Sequence, residues 1–254
     1  MTFKNKHAVI TGGANGIGRC IAETFLREGA TVTVIDIDKQ AGESLSARHE
    51  RLHFFHGNVV EQSVLDQFVA SIHIPVDCLI HNAYISHGGT LSACSYEAFE
   101  AVQRVCVTAP YYLTSQLVQK DLLAQGASIV NIASTRTAQS QPDTESYSAA
   151  KGGIASLTHA LAISLAGRAR VNCISPGWID TAAYHEGATI TEHSVQDKSQ
   201  HPVGRVGKCE DIAEMVLYLC RDEAGFITGE TITVDGGMSR LMIYHGDHGW
   251  RLDS

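Results

Sequence analysis

No apolar run in this chain approaches the roughly 20 residues that a membrane-spanning helix needs. The longest, such as Ala30 to Ile35 and Ile129 to Ala133, have the length of strands. Basic charge is also scarce. The 19 Lys and Arg stand against 27 Asp and Glu, a net charge of −8, so the basic stripe that a nucleic-acid or anionic membrane surface requires is missing. Neither partner is expected. The seven cysteines, at 20, 78, 94, 106, 173, 209 and 220, contain no C-x-x-C pair. Their odd, scattered count suits reduced thiols better than a disulfide framework. The start, Met1 to Lys6, carries no signal-type apolar core, and a cytoplasmic location is expected. Thirteen histidines invite a metal site, but the nearest approach to a cluster is His245 and His248 in the tail. No regular element fixes their geometry there, so no metal is expected.

Linkers, repeats and low-complexity stretches are absent too, so the 254 residues are expected to form one domain, 1–254. What fills the chain is alternation. Apolar runs at His7 to Thr11, Thr31 to Ile35, Leu52 to Phe55, Val76 to Ile80, Ala127 to Ala133, Val171 to Ile174 and Thr231 to Val234 read as strands. Between them lie helical patterns at Ile17 to Glu28, Ala41 to Glu50, Val64 to Ile72, Tyr147 to Leu165 and Asp211 to Leu219. Tyr96 to Leu123 reads as one or two long helices, with Pro110 marking a kink or irregularity. Repeated βα units imply an α/β fold: a doubly wound, Rossmann-type parallel sheet covered on both faces. Ligands of such sheets bind beyond the carboxyl ends of the strands. The loops after residues 11, 81, 133 and 175 gather on that edge.

Tyr147 and Lys151 are four residues apart, with Ser134 thirteen residues upstream of the tyrosine. One helical turn puts both side chains on one face. A phenol titrates near pH ~10, and a neighbouring ammonium favours its ionised form. With a serine hydroxyl to hold the substrate oxygen, the set makes a general acid/base device for interconverting an alcohol and a carbonyl. Between the first strand and first helix, Thr11-Gly-Gly-Ala-Asn-Gly-Ile-Gly18 supplies glycines for a tight turn and close approach to a diphosphate, which the helix N-terminus attracts. Asp36 ends the second strand. A carboxylate there accepts from both ribose hydroxyls and repels a 2′-phosphate, favouring NAD over NADP. No Lys or Arg stands at Ala14, at Asn15 or directly after Asp36 to neutralise such a phosphate.

Together with Asn82-Ala83, Tyr147-Ser-Ala-Ala-Lys151, Pro176-Gly177-Trp-Ile-Asp-Thr181 and Asp235-Gly236-Gly237, these motifs make the chain resemble the short-chain dehydrogenase/reductase family over essentially its whole length. The resemblance implies a seven-stranded parallel sheet, hydride transfer at the nicotinamide C4, and a homodimer or homotetramer. It makes Tyr147 the acid/base, Ser134 the group that polarises the substrate oxygen, and Lys151 the ribose ligand that lowers the tyrosine pKa. Cofactor contacts fall on Gly12, Asn15, Gly16, Ile17, Gly18, Asp36, Asn82, Ala83, Pro176, Gly177, the Ile179 backbone and Thr181. Asn58-Val59 takes the place of the usual Asp-Val adenine contact.

Two positions depart from the family pattern. Tyr84 replaces the glycine of an N-A-G triplet, and either turns outward to line the substrate pocket or narrows the cofactor channel. Cys106 stands where an asparagine usually holds a proton-relay water. A thiol is a weak hydrogen-bonding group, so proton delivery is expected to slow without abolishing the chemistry. Cys106 itself reads as packing on a helix face rather than a redox switch. The substrate loop falls at about 178–205, with Tyr184, His185, Glu186, His193 and His201, and an extension follows at about 239–254. Arg136 and Gln139 either face the pocket, where a guanidinium suits a carboxylate or a polyol, or brace a loop or subunit interface. The leading expectation is an NAD-dependent oxidoreductase on a small polar secondary alcohol or ketone. Its rival is a catalytically weak NAD-binding sensor or structural protein of the same fold. A nucleotide-sugar epimerase or dehydratase fits less well, because those relatives are usually longer.

Overall fold

A computed structural model of the chain describes residues 2–189 and 192–242. His245, His248 and most of the expected extension lie outside the described residues. Valine and isoleucine runs build the strands. In chain order these are β1 (His7–Thr11), β2 (Thr31–Asp36), β3 (Leu52–His56), β4 (Val76–His81), β5 (Leu123–Ile132), β6 (Ala169–Pro176), a short parallel pair β7 (Ile179–Asp180) and β8 (Gly207–Lys208), and β9 (Thr231–Val234). Seven of them form one parallel sheet in the order β3-β2-β1-β4-β5-β6-β9. Strand order reverses between β1 and β4, and the crevice opens there.

The helices are α1 (Gly16–Arg27), α2 (Lys39–Arg48), α3 (Gln62–Ala70), α4 (Tyr96–Gln103), α5 (Ala109–Gln119), α6 (Glu145–Ser164), α7 (Val195–Ser199) and α8 (Cys209–Cys220). Successive strand residues point to opposite faces. Ile10 and Ile80 pack with Phe25 and Leu217 on one side of the sheet, whereas Val9 and Leu79 pack with Phe68 and Leu117 on the other. Both faces are buried, which is why the strands read as continuous apolar runs. Truncating any of these fully buried aliphatic side chains to alanine is expected to cost about 2–5 kcal/mol.

The region 96–123 resolves differently at its end, since Leu123 already belongs to β5. The irregularity lies just before the proline. Residues Arg104–Thr108 form a π turn, in which the N–H of Ala109 reaches back to the carbonyl of Arg104. Pro110 has no N–H for the Cys106 carbonyl four residues earlier, and its ring would crowd that carbonyl. The wider turn accommodates both. Among the described residues no helix is long and apolar enough to cross a membrane, and no group of three or more His, Cys, Asp or Glu could hold a metal.

Candidate active site

The carboxyl ends of six strands, β1 to β6, open onto one cleft of about 450 Å³. After β1 the chain turns with Gly12 at φ +65° and Gly16 at φ +56°, values that glycine adopts at no steric cost. A Cβ on Gly18 would fall on the Gly12 carbonyl oxygen. Gly18 therefore allows turn and helix to pack, and it does not line the cleft itself. Asn15 occupies the N-cap of α1 but makes no capping bond. Its amide donates instead to Asp38 Oδ2 at 2.8 Å, which leaves the first N–H groups of α1 open to an anion. The Asp36 carboxylate accepts from the Ala14 N–H at 2.9 Å and the Asp38 N–H at 3.0 Å. Two carboxylates thus stand at the end of β2, and Asp38 is held below its ordinary range by the Ala41 N–H and Asn15.

Asn82 clamps the turn from β4. Its Nδ2 donates to the Gly12 carbonyl at 2.7 Å and its N–H to Thr11 Oγ1 at 3.1 Å. Asn58 and Val59 reach the cleft beside Gly57, and the Asn58 side chain accepts from the Val60 N–H at 3.1 Å. Ala83, Ile17, Pro176, Gly177, Ile179 and Thr181 also line the wall. The cradle, the open helix terminus and the facing carboxylate fit a dinucleotide.

At the other end α6 begins two residues before Tyr147, and both Tyr147 and Lys151 line the cleft with Ser134. Lys151 is buried at 2% exposure, and its ammonium donates to the Ile132 carbonyl at 2.7 Å. It lies 5.4 Å from the ring centre of Tyr147. The expectation of a lowered phenol pKa is corrected here. Burial dominates and pushes Tyr147 up to about 12, although the Ser134 hydroxyl pulls it back. Desolvation also lowers Lys151, whose favourable contact is a neutral carbonyl. The buried Cys106 thiol is close enough to act electrostatically on both groups. Tyr84, 61% exposed, takes the outward alternative and lines the cleft.

The substrate-loop set separates. His185 lines the cleft. The Tyr184 hydroxyl donates to Glu210 Oε1 at 2.8 Å, turned toward α8, and burial raises its pKa. Glu186 accepts from Ser44 on α2 at 2.7 Å. His193 pairs with Asp180 at 2.9 Å and stacks edge-on against Trp178. His201 is buried, with Nδ1 against the Asp197 carbonyl at 3.1 Å. Partners elsewhere draw these four side chains away from the cleft: carboxylates for Tyr184 and His193, a carbonyl for His201, and Ser44 with Arg48 for Glu186. Arg136 donates to Gln141, which fits the loop-brace reading, while its charge favours the Tyr147 phenolate. Sequence reasoning missed Ile37, Ile85 and Val105 on the wall, whereas Trp178, the first residue of the expected substrate loop, does line it. Ile37 follows the strand-ending acid directly, and that position was the available signal.

A doubly wound sheet, a glycine cradle at its crevice and a Ser-Tyr-Lys group define a nucleotide-dependent oxidoreductase. A family model described as enoyl-(acyl carrier protein) reductase matches residues 12–239, and the chain belongs to the short-chain dehydrogenase/reductase family. It is 40% identical over 253 residues to an uncharacterized oxidoreductase of Thermotoga maritima, covering 95% of this chain and 99% of that one. A 3-oxoacyl-(acyl-carrier-protein) reductase of the same organism is 31% identical over 246 residues, covering 94% and 99%. The 2-(S)-hydroxypropyl-CoM dehydrogenase 3 of Xanthobacter autotrophicus is 32% identical over 251 residues, covering 94% and 98%. Among solved structures, an apo SCOR enzyme from Clostridium thermocellum superposes with a TM-score of 0.89 at 43% identity, covering 98% and 99%. The protein is an enzyme acting on CH–OH or C=O groups of small molecules, with a nicotinamide cofactor, NAD or NADP.

Proposed function

We propose that this protein interconverts a secondary alcohol and a ketone on a small polar substrate, with NAD as its dinucleotide. The observation that carries the reading is one continuous cleft with Tyr147, Lys151 and Ser134 at one end and Asp36 at the other. Bound there, the cofactor supplies a hydride acceptor or donor at its nicotinamide C4. Tyr147 takes the hydroxyl proton in oxidation and returns it in reduction, while Ser134 holds the substrate oxygen. The Lys151 ammonium, 5.4 Å from the phenol ring, and a bound pyridinium both favour the phenolate against the cost of burial. Asp36, with Asp38 behind it, accepts ribose hydroxyls and repels a 2′-phosphate. The remaining contacts are assigned to Gly12, Asn15, Gly16, Ile17, Asn58, Val59, Asn82, Ala83, Pro176, Gly177, Ile179 and Thr181, with Gly18 serving them indirectly by letting the turn pack on α1.

Residues 1–254 act as one dinucleotide-binding unit in this reading, in the cytoplasm, where seven free thiols stay reduced. Exposed Phe226 and Ile163 support a homodimer or homotetramer that covers them. The competing reading, a weakly active NAD-binding protein, draws on the Tyr147 phenol at about 12 and on Cys106. A panel of secondary alcohols and polyols with NAD at alkaline pH, followed by the absorbance of the reduced cofactor, separates the two. Turnover establishes the oxidoreductase. Binding without turnover across the panel overturns it in favour of the rival.

A further inference from the structure

The short segment after Thr181 is fastened at two points across the glycine-rich turn. A 3₁₀ turn at Ala182–Tyr184 reverses the chain, with the Tyr184 N–H on the Thr181 carbonyl at 3.0 Å. Tyr184 then holds Glu210 of α8 at 2.8 Å. Two residues on, Glu186 accepts from Ser44 at 2.7 Å and pairs with Arg48 at 3.3 Å, both on α2. His185 lies between these anchors, and its ring takes part in neither. A Cβ placed on Gly16 would lie 3.4 Å from His185 Nε2 and 3.6 Å from Thr181 Cβ. The imidazole therefore faces the N-terminal turn of α1 across a slot kept open by the missing glycine side chain. Asp38, at the N-cap of α2, is already held by Asn15 and the Ala41 N–H.

We infer that His185 is a further dinucleotide-binding residue: its imidazole donates to the diphosphate from the side opposite the α1 N–H groups, and the 181–186 strap holds it there. The inference rests on the cofactor reading above and extends it to a residue outside the glycine turn. An imidazole N–H donor to an anionic oxygen makes a charge-assisted hydrogen bond, and Thr181, the other strap residue beside Gly16, turns its Cβ and methyl Cγ2 toward that glycine, at 3.6 and 3.7 Å from a Cβ placed there.

The test is binding, read by calorimetry with ADP-ribose and with adenosine, and by NADH fluorescence. H185A and H185F are both expected to weaken ADP-ribose and NADH about tenfold, the usual scale for one such bond. Adenosine, which lacks the diphosphate, is expected to bind each variant as it binds the parent. H185Q, which keeps a donor, is expected to recover most of the loss. The phenylalanine variant preserves a packed ring, so it decides the matter should H185A unfold. H185F binding ADP-ribose as tightly as the parent overturns the inference, as does an equal loss for adenosine. A parent protein that binds neither ADP-ribose nor either reduced dinucleotide sinks the cofactor reading itself, which distinguishes the two failures.

Discussion

The rings of Tyr84 and Tyr147 meet edge to face with centroids 6.0 Å apart, and the Lys151 ammonium lies 5.4 Å from the Tyr84 ring as well. Tyr84 thus forms a wall beside the phenol that carries the proposed chemistry. Replacing it with glycine is expected to open the cleft and raise kcat/KM for bulky ketones by about tenfold relative to small ones, the scale of a few methylenes in an apolar pocket. Tyr84→Phe keeps the wall and is expected to leave that ratio unchanged. A size series of ketones measures both.

Tyr147→Phe removes the proton carrier while keeping the ring. Turnover is expected to fall by about 10²–10⁴-fold, with cofactor dissociation constants within a factor of about three. Steady-state rates and NADH fluorescence give the two numbers. A fully active variant removes the mechanism.

Asp36→Ser deletes the carboxylate proposed to receive the ribose hydroxyls and the acceptor for the Ala14 N–H. NADH is expected to bind about tenfold more weakly, and the preference over NADPH to shrink by at least as much, since the repulsion goes too. Fluorescence titrations with the two reduced dinucleotides measure the ratio. An unchanged ratio shows that Asp36 does not set the choice.

His81 is fully buried at the end of β4, with Nε2 on Thr114 Oγ1 at 3.0 Å. Burial lowers its pKa from 6.5 to about 3. Between those values the unfolded chain binds a proton that the folded chain refuses, so the stability His81 contributes is present above pH 6.5 and lost as pH falls toward 3. The unfolding free energy is expected to drop by up to ~1.4 kcal/mol per pH unit from this group across that window. His81→Leu, compared by urea titration from neutral pH downward, is expected to flatten the slope by that amount.

The sheet was readable from the chain because its strands are buried on both faces. Val9 and Ile10 serve opposite cores, so the run shows no gaps. Glycines at 12, 16 and 18 and the acid at 36 were readable because each answers a local steric or charge demand. The direction of the Tyr147 shift was not, since sequence spacing places the ammonium but says nothing about how much water both groups lose. The sequence places His185 in the substrate loop without a target, because Gly16 is brought beside it only by folding. Tyr184, His193 and His201 looked alike on paper. Their destinations were set by Glu210, Asp180 and the Asp197 carbonyl.

The π turn before Pro110 inserts the equivalent of one residue into an otherwise continuous helix. Each residue carries about 100° of rotation, so α4 and α5 present their apolar stripes in different directions. Val105 can then face the cleft while Leu113 and Leu117 press against the sheet. Shortening this stretch by a single residue would bring the two halves into phase and swing one of those contacts out into water.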